Sequence, residues 1–225
     1  PRPGRMADLT PGQGATDPSP RTPLVERAQA VIDAANAEDP VSIVVDGVER
    51  PKELVHAERM THWVRVLDPS ASDAQLIAAR AHHLRRWVSP RSDFPEGRAG
   101  YLQWRTAHKR RQVEELRALL DPIGCPSGVV DDALAIVAKD GLRRGDHAAQ
   151  VHEDALCLVF LQAQLTGVAG QLGAAATVEL LAKTMAKMSD ERERLGDYNA
   201  GADAVQTMTM KMSKGQEFLK VALPG

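Results

Sequence analysis

At 225 residues, with 43% of them apolar and 26% charged, the chain is long enough for one sizeable domain and short for two. A formal net charge of −2 argues against a protein coated for nucleic acid, and no apolar run approaches the roughly 18 residues of a membrane span. Cys125 and Cys157 stand far apart, which excludes a disulfide framework or thiolate zinc knuckle and makes a reducing cytoplasm the expected setting.

The elements, in chain order, are expected to be almost all helical. Residues 1–22 are rich in Pro, Gly and Thr and read as a disordered leader or an expression remnant; a helical domain is expected over 23–225, least securely over 190–225. Thr22 can cap a first helix with Pro23 in its opening turn. "VSIVVDGVER" follows, and its Asp46-Gly47 pair predicts a small hairpin or extended loop. Pro51 then opens a second helix, and Ser70 or Ser72 caps a third that ends near Trp87. Residues 88–97 form a Pro/Gly loop, and further helices are expected near 98–120, 128–139, 147–167 and 174–188. The fold class is a single-domain, all-α bundle.

Several polar residues fall on apolar stripes. His56, Met60, Trp63 and Leu67 share one face of the second helix, and Asp154 heads the stripe Leu158, Leu161, Leu165. In "RAHHLRRW", residues 80–87, helical periodicity turns His83 inward and His82 about 100° away. A buried carboxylate needs a cation, a metal or donors, and Asp154 would find one in a metal or in an arginine such as Arg59 or Arg80.

Between Arg85 and Arg111 arginines are dense and interleaved with aromatics. Arg85, Arg86, Arg91, Arg98 and Arg105 are candidate anion ligands, because guanidinium forks hold phosphate or carboxylate bidentately. Tyr101 shares a helix face with Arg98 and Arg105 and offers a surface for stacking. The competing reading is a solvated basic face, to which Lys109, Arg110 and Arg111 are assigned.

"HAERM", "AARAHHL" and "EDALCL" resemble the spaced pattern of the HD superfamily, which comprises all-α metal-dependent phosphohydrolases and a few di-iron oxygenases. The resemblance implies an HD-type fold and a divalent transition metal (Mn, Fe, Co or Zn) held by His56, His82 or His83, and Asp154. His83 occupies the place of the family's aspartate, so a bridging carboxylate is missing. A longer resemblance covers "VIDAANAEDP", "KELVHAERMTHWV", "HLRRWVSPRSDFPEGRAGYLQWR" and "EDALCLVFL". It is to the family of domain of unknown function 4202, whose members are often labelled glutamyl-tRNA-synthetase-like. "KMSKG" at 211–215 is similar to the KMSKS loop of class I synthetases, but no HIGH-like tetrapeptide and no alternating βα units accompany it. The synthetase reading is therefore rejected.

Two functions are expected from these residues. The first is an HD-like, metal-dependent hydrolase of a phosphate-containing or nucleotide-like substrate, with Glu53 or Glu153 as general base. The second is a non-catalytic helical module that binds an anion, a nucleotide or RNA through the same arginines. A small anionic ligand is favoured over nucleic acid, and no membrane partner is expected. An oxygenase with two irons would need more ligands than these.

Overall fold

The computed structural model describes residues 22–163, 174–185 and 187–188. Among these residues the structure is all-α apart from one hairpin. The expected leader, the 190–225 tail with its "KMSKG" segment, and residues 164–167 of the sixth expected helix lie outside the described residues.

Helix α1 spans Pro23–Asn36, and Thr22 Oγ1 accepts the N–H of Val25 at 3.2 Å, as the Thr-Pro start predicts. Strands β1 (Ser42–Val45) and β2 (Val48–Pro51) pair antiparallel around Asp46 (φ 50°) and Gly47 (φ 81°). Two consecutive left-handed residues are what a tight hairpin turn demands, so the Asp-Gly signal was sound. Helix α2 (Lys52–Leu67) has no side-chain cap of its own. Asp39 supplies one from the preceding loop, accepting the Glu53 N–H at 2.9 Å. The Arg50 fork on Glu58, at 2.9 and 2.6 Å, ties the hairpin to the same helix.

Helix α3 (Asp73–Arg80) begins in a complete capping box between Ser72 and Gln75. It is followed by α4 (Gly97–Leu120), α5 (Ser127–Ala138), α6 (His147–Ala163) and α7 (Ala174–Met185). Gly100 is required near the start of α4, because a Cβ there would stand 1.8 Å from the Pro95 carbonyl oxygen.

Apolar side chains gather in two clusters. One joins α1, α3, α4 and α5 through Ile32, Ile77, Leu84, Leu116 and Leu134. The other joins α2 and α6, with the near side of α3, through Met60, Val64, Leu76, Val151 and Val159. The histidine doublet lies between Ala81 and Leu84, both fully buried in the first cluster.

The expected third helix is shorter than its sequence suggested. It ends at Arg80 rather than near Trp87, and residues 81–85 are a turn before a 3-10 segment at Arg86–Val88. Gln112 of α4 explains the break: its amide donates to the carbonyls of Ala81 (2.7 Å) and His82. Arg85 closes the turn with φ 45°, its N–H held by Asn36 Oδ1 at 3.1 Å and its carbonyl by Arg111 at 2.8 Å. A left-handed arginine persists only where neighbours over-determine it. Helical periodicity therefore does not apply to the doublet, and both histidines turn inward.

Candidate metal centre

Helix α2 brings His56 to the 81–85 turn, where it meets both histidines of the doublet. The His56 and His83 rings stack at 3.8 Å between centroids and 11° between planes; His56 and His82 lie 5.7 Å apart, and His82 and His83 4.7 Å. One ligand atom from each of the three lies within 4.8 Å of the other two. On a tetrahedral ion with metal–nitrogen distances of about 2.0–2.1 Å, donor atoms stand about 3.4 Å apart, so the three rings must draw together by up to about 1.4 Å to share one ion.

The protonation states suit a metal. Burial, followed by the charges of Arg86, Lys52 and Arg59, lowers the His56 pKa to about 3. Burial and the neighbouring imidazoles likewise hold His82 and His83 well below the ordinary histidine value. All three are neutral at pH 7 and carry a lone pair for a metal. His56 Nε2 is buried and has no hydrogen-bond partner, an orphaned acceptor or donor that a coordinated ion would satisfy.

A second layer fixes these rings. His83 Nδ1 stands 2.9 Å from Glu53 Oε2, and Arg86 Nη1 stands 2.7 Å from His83 Nε2. Arginine only donates, so His83 Nε2 is the acceptor and Nδ1 carries the proton that Glu53 receives. A carboxylate on the far nitrogen is the usual support of a metal-binding histidine. Burial raises the Glu53 pKa. His82 Nδ1 lies 2.8 Å from His152 Nε2, which can support His82 in the same way. His152 is buried on α6, and burial with the charge of Lys139 lowers its pKa to about 3.

His108 of α4 completes the set, so five of the chain's seven histidines meet here. Its ring stacks on Trp104 at 5.6 Å, both nitrogens are buried without partners, and burial with the Arg86 charge brings its pKa to about 4. His152 and His108 were missed in the sequence, although each had a signal. His152, Ala155 and Val159 form an inward stripe on α6, and His108, Gln112, Leu116 and Leu120 a buried row on α4.

The other expected site residues are placed less centrally. Asp154 is fully buried on α6, but the close ligand group is made of histidines and does not include it; its Oδ1 accepts from Gln150 at 2.8 Å. Arg80 engages Asp33 at 2.5 and 2.6 Å, so it is not drawn to Asp154. Glu153 receives the ammonium of Lys139, the left-handed residue that ends α5.

The arginines divide among several tasks. Arg86 joins the histidines and lies over the Trp104 ring at 5.2 Å. Arg85 reaches Glu38 at 3.1 Å. Arg91 spends its fork on the carbonyls of Phe94, Pro95 and Gly97, at 2.9, 2.8 and 3.3 Å, and so staples its own loop. Arg98 and Arg105 are exposed on α4, with Arg105 over the Tyr101 ring at 5.7 Å. Lys109 pairs with Asp140 at 3.0 Å, in keeping with a surface role, whereas Arg111 is part-buried on Glu115 and the Arg85 carbonyl.

The family model described as domain of unknown function (DUF4202) matches residues 26–208. No curated protein and no solved structure matches the chain. Among the described residues no helix is long and apolar enough to cross a membrane.

Proposed function

The chain belongs to the DUF4202 family, and from that premise we propose that it is a metal-dependent hydrolase of phosphate-containing, nucleotide-like substrates. The observation that carries this reading is the buried trio of neutral imidazoles, with His56 Nε2 left unpartnered among them. The spacing of His56 and the doublet, which resembles the HD pattern, agrees with it. A bound Mn, Fe, Co or Zn ion would supply Lewis acidity and bring the pKa of a coordinated water toward neutrality.

The chain's own groups divide the remaining work. Glu53 holds the tautomer of His83, and His152 accepts from His82 when Nδ1 of His82 carries its proton, so that each ring presents Nε2. Glu53, the carboxylate beside the trio, whose pKa burial raises, accepts the proton of the attacking water and returns it to the leaving alkoxide. The new P–O bond forms from the water oxygen as the ester P–O bond breaks. Arg86 neutralises charge on the phosphoryl oxygens.

The test is phosphate release from a panel of phosphomonoesters and nucleotides by the full chain, loaded in turn with Mn, Fe, Co and Zn. Turnover that disappears on chelation and in His56→Ala is the expected result. A loaded protein that turns over none of the panel would contradict the hydrolase.

A second reading, a non-catalytic nucleotide- or RNA-binding module, is favoured by one surface feature. Tyr101, with Arg105 over its ring and Arg98 nearby on the helix, is an exposed cationic and aromatic face of the kind on which bases stack. Nucleotide binding without turnover, insensitive to metal, would select it.

A further inference from the structure

We propose that Arg86 is a metal-gated phosphate ligand: it caps His83 Nε2 while the histidine centre is empty and, once a metal takes that nitrogen, swings onto a phosphoryl group beside His108. This rests on the three-histidine centre proposed above. It adds to it a coupling between two binding events and a second anion-contacting residue.

The coupling follows from the valence of one nitrogen. His83 Nδ1 is committed to Glu53 at 2.9 Å, so Nε2 is the only nitrogen His83 can give to a metal. That nitrogen has a single lone pair, and an N–H of Arg86 occupies it at 2.7 Å. The arginine bond and the metal bond exclude each other. A cation entering the trio also meets the guanidinium's positive charge, which sits against His83, itself stacked on His56 at 3.8 Å.

The displaced guanidinium has a defined neighbourhood. It lies over the Trp104 indole at 5.2 Å, and that indole is itself pinned, its Nε1 donating to the Ser89 carbonyl at 2.9 Å. His108 stacks on the same indole at 5.6 Å with both nitrogens buried and unpartnered. A part-buried cation that has lost its acceptor requires a new one. A neutral histidine offers one N–H beside it. A tetrahedral oxyanion between metal, guanidinium and imidazole meets all three requirements, and a phosphoryl group is the class that fits.

The experiment measures two affinities by calorimetry on the full chain: Co(II) alone, and inorganic phosphate in the metal-free and Co(II)-loaded protein, with acetate as the planar-anion control. The proteins are wild type, Arg86→Ala, the milder Arg86→Gln in case the alanine variant unfolds, and His108→Phe. Arg86→Ala or Arg86→Gln should bind Co(II) more tightly than wild type, by about tenfold. Both should bind phosphate about tenfold more weakly when loaded, yet equal wild type when metal-free. His108→Phe should weaken phosphate in the loaded protein and leave Co(II) affinity unchanged, and acetate should bind loaded wild type more weakly than phosphate does.

Co(II) affinity that is unchanged or reduced without Arg86 would overturn the gate while leaving the metal centre standing. So would a loss of phosphate affinity equal in both metal states, or acetate bound as tightly as phosphate. Failure of wild type to bind Co(II) at all would remove both the centre and the gate.

Discussion

Acid should unfold the metal-free protein well above the pH at which its carboxylates titrate. Burial holds the folded pKa values of His56 and His152 at about 3 and that of His108 at about 4, with His82 and His83 also well below the ordinary histidine value. In the unfolded chain each takes up a proton as the pH falls through about 6.5, while in the native state His108 stays neutral to about pH 4, His56 and His152 to about pH 3, and His82 and His83 also take theirs up only well below the ordinary histidine value. The stabilisation these neutral histidines allow is thus complete above pH 6.5 and is lost between there and pH 3–4. Each contributes a slope of about 1.4 kcal/mol per pH unit once the unfolded histidine is protonated. Even three acting together give about 4 kcal/mol per unit, against a total stability on the order of 5–15 kcal/mol. Glu53 works in the opposite sense, because its raised pKa lets the native state take up a proton first as pH falls. Urea denaturation at pH 7.5, 6.0 and 5.0 checks this: the midpoint should fall steeply with little change in slope. A midpoint that stays level from pH 7.5 to 5.0 would show that the histidines are not buried together.

The second large effect is expected from His56→Leu, which separates packing from metal binding. In the metal-free protein, His56 is 6% exposed with Nε2 unsatisfied, and an unpaired buried polar atom costs about 1–3 kcal/mol. Leucine removes that cost and keeps an apolar contact with the His83 ring, which lies 3.8 Å away. The variant should therefore be as stable as wild type or gain about 1–2 kcal/mol, a rise of some 2–8 °C in Tm. It should also lose metal affinity. The pairing of a steadier fold with a lost ion marks a ligand. A variant that unfolds more easily and binds metal normally would mark a core residue.

The fold was legible where local chemistry decides it. Thr22-Pro23 and Asp46-Gly47 each set a boundary through their own hydrogen bonds or φ angles, and of the two serines offered as the third cap it is Ser72, through a reciprocal bond with Gln75, that sets the start of α3. The site was legible in part, for the same reason. His56 sits mid-helix, where its stripe with Met60 holds. The doublet does not, because Gln112, Asn36 and Arg111, distant in sequence, bend the chain at residues 81–85. No period within "RAHHLRRW" can report a side chain that arrives from another helix. The arginine segment shows the converse: its density was evident, but partners from elsewhere set each role, such as the loop carbonyls for Arg91 and His83 for Arg86.

The most direct test of the histidine centre is metal uptake by the full chain, purified without a nickel column and titrated with Co(II) while its visible spectrum is followed. One ion per chain with imidazole-ligated cobalt bands, lost in His56→Leu and displaced by Zn, is the expected result. A protein that takes up none of Mn, Fe, Co or Zn, or whose uptake is indifferent to His56→Leu, would contradict it.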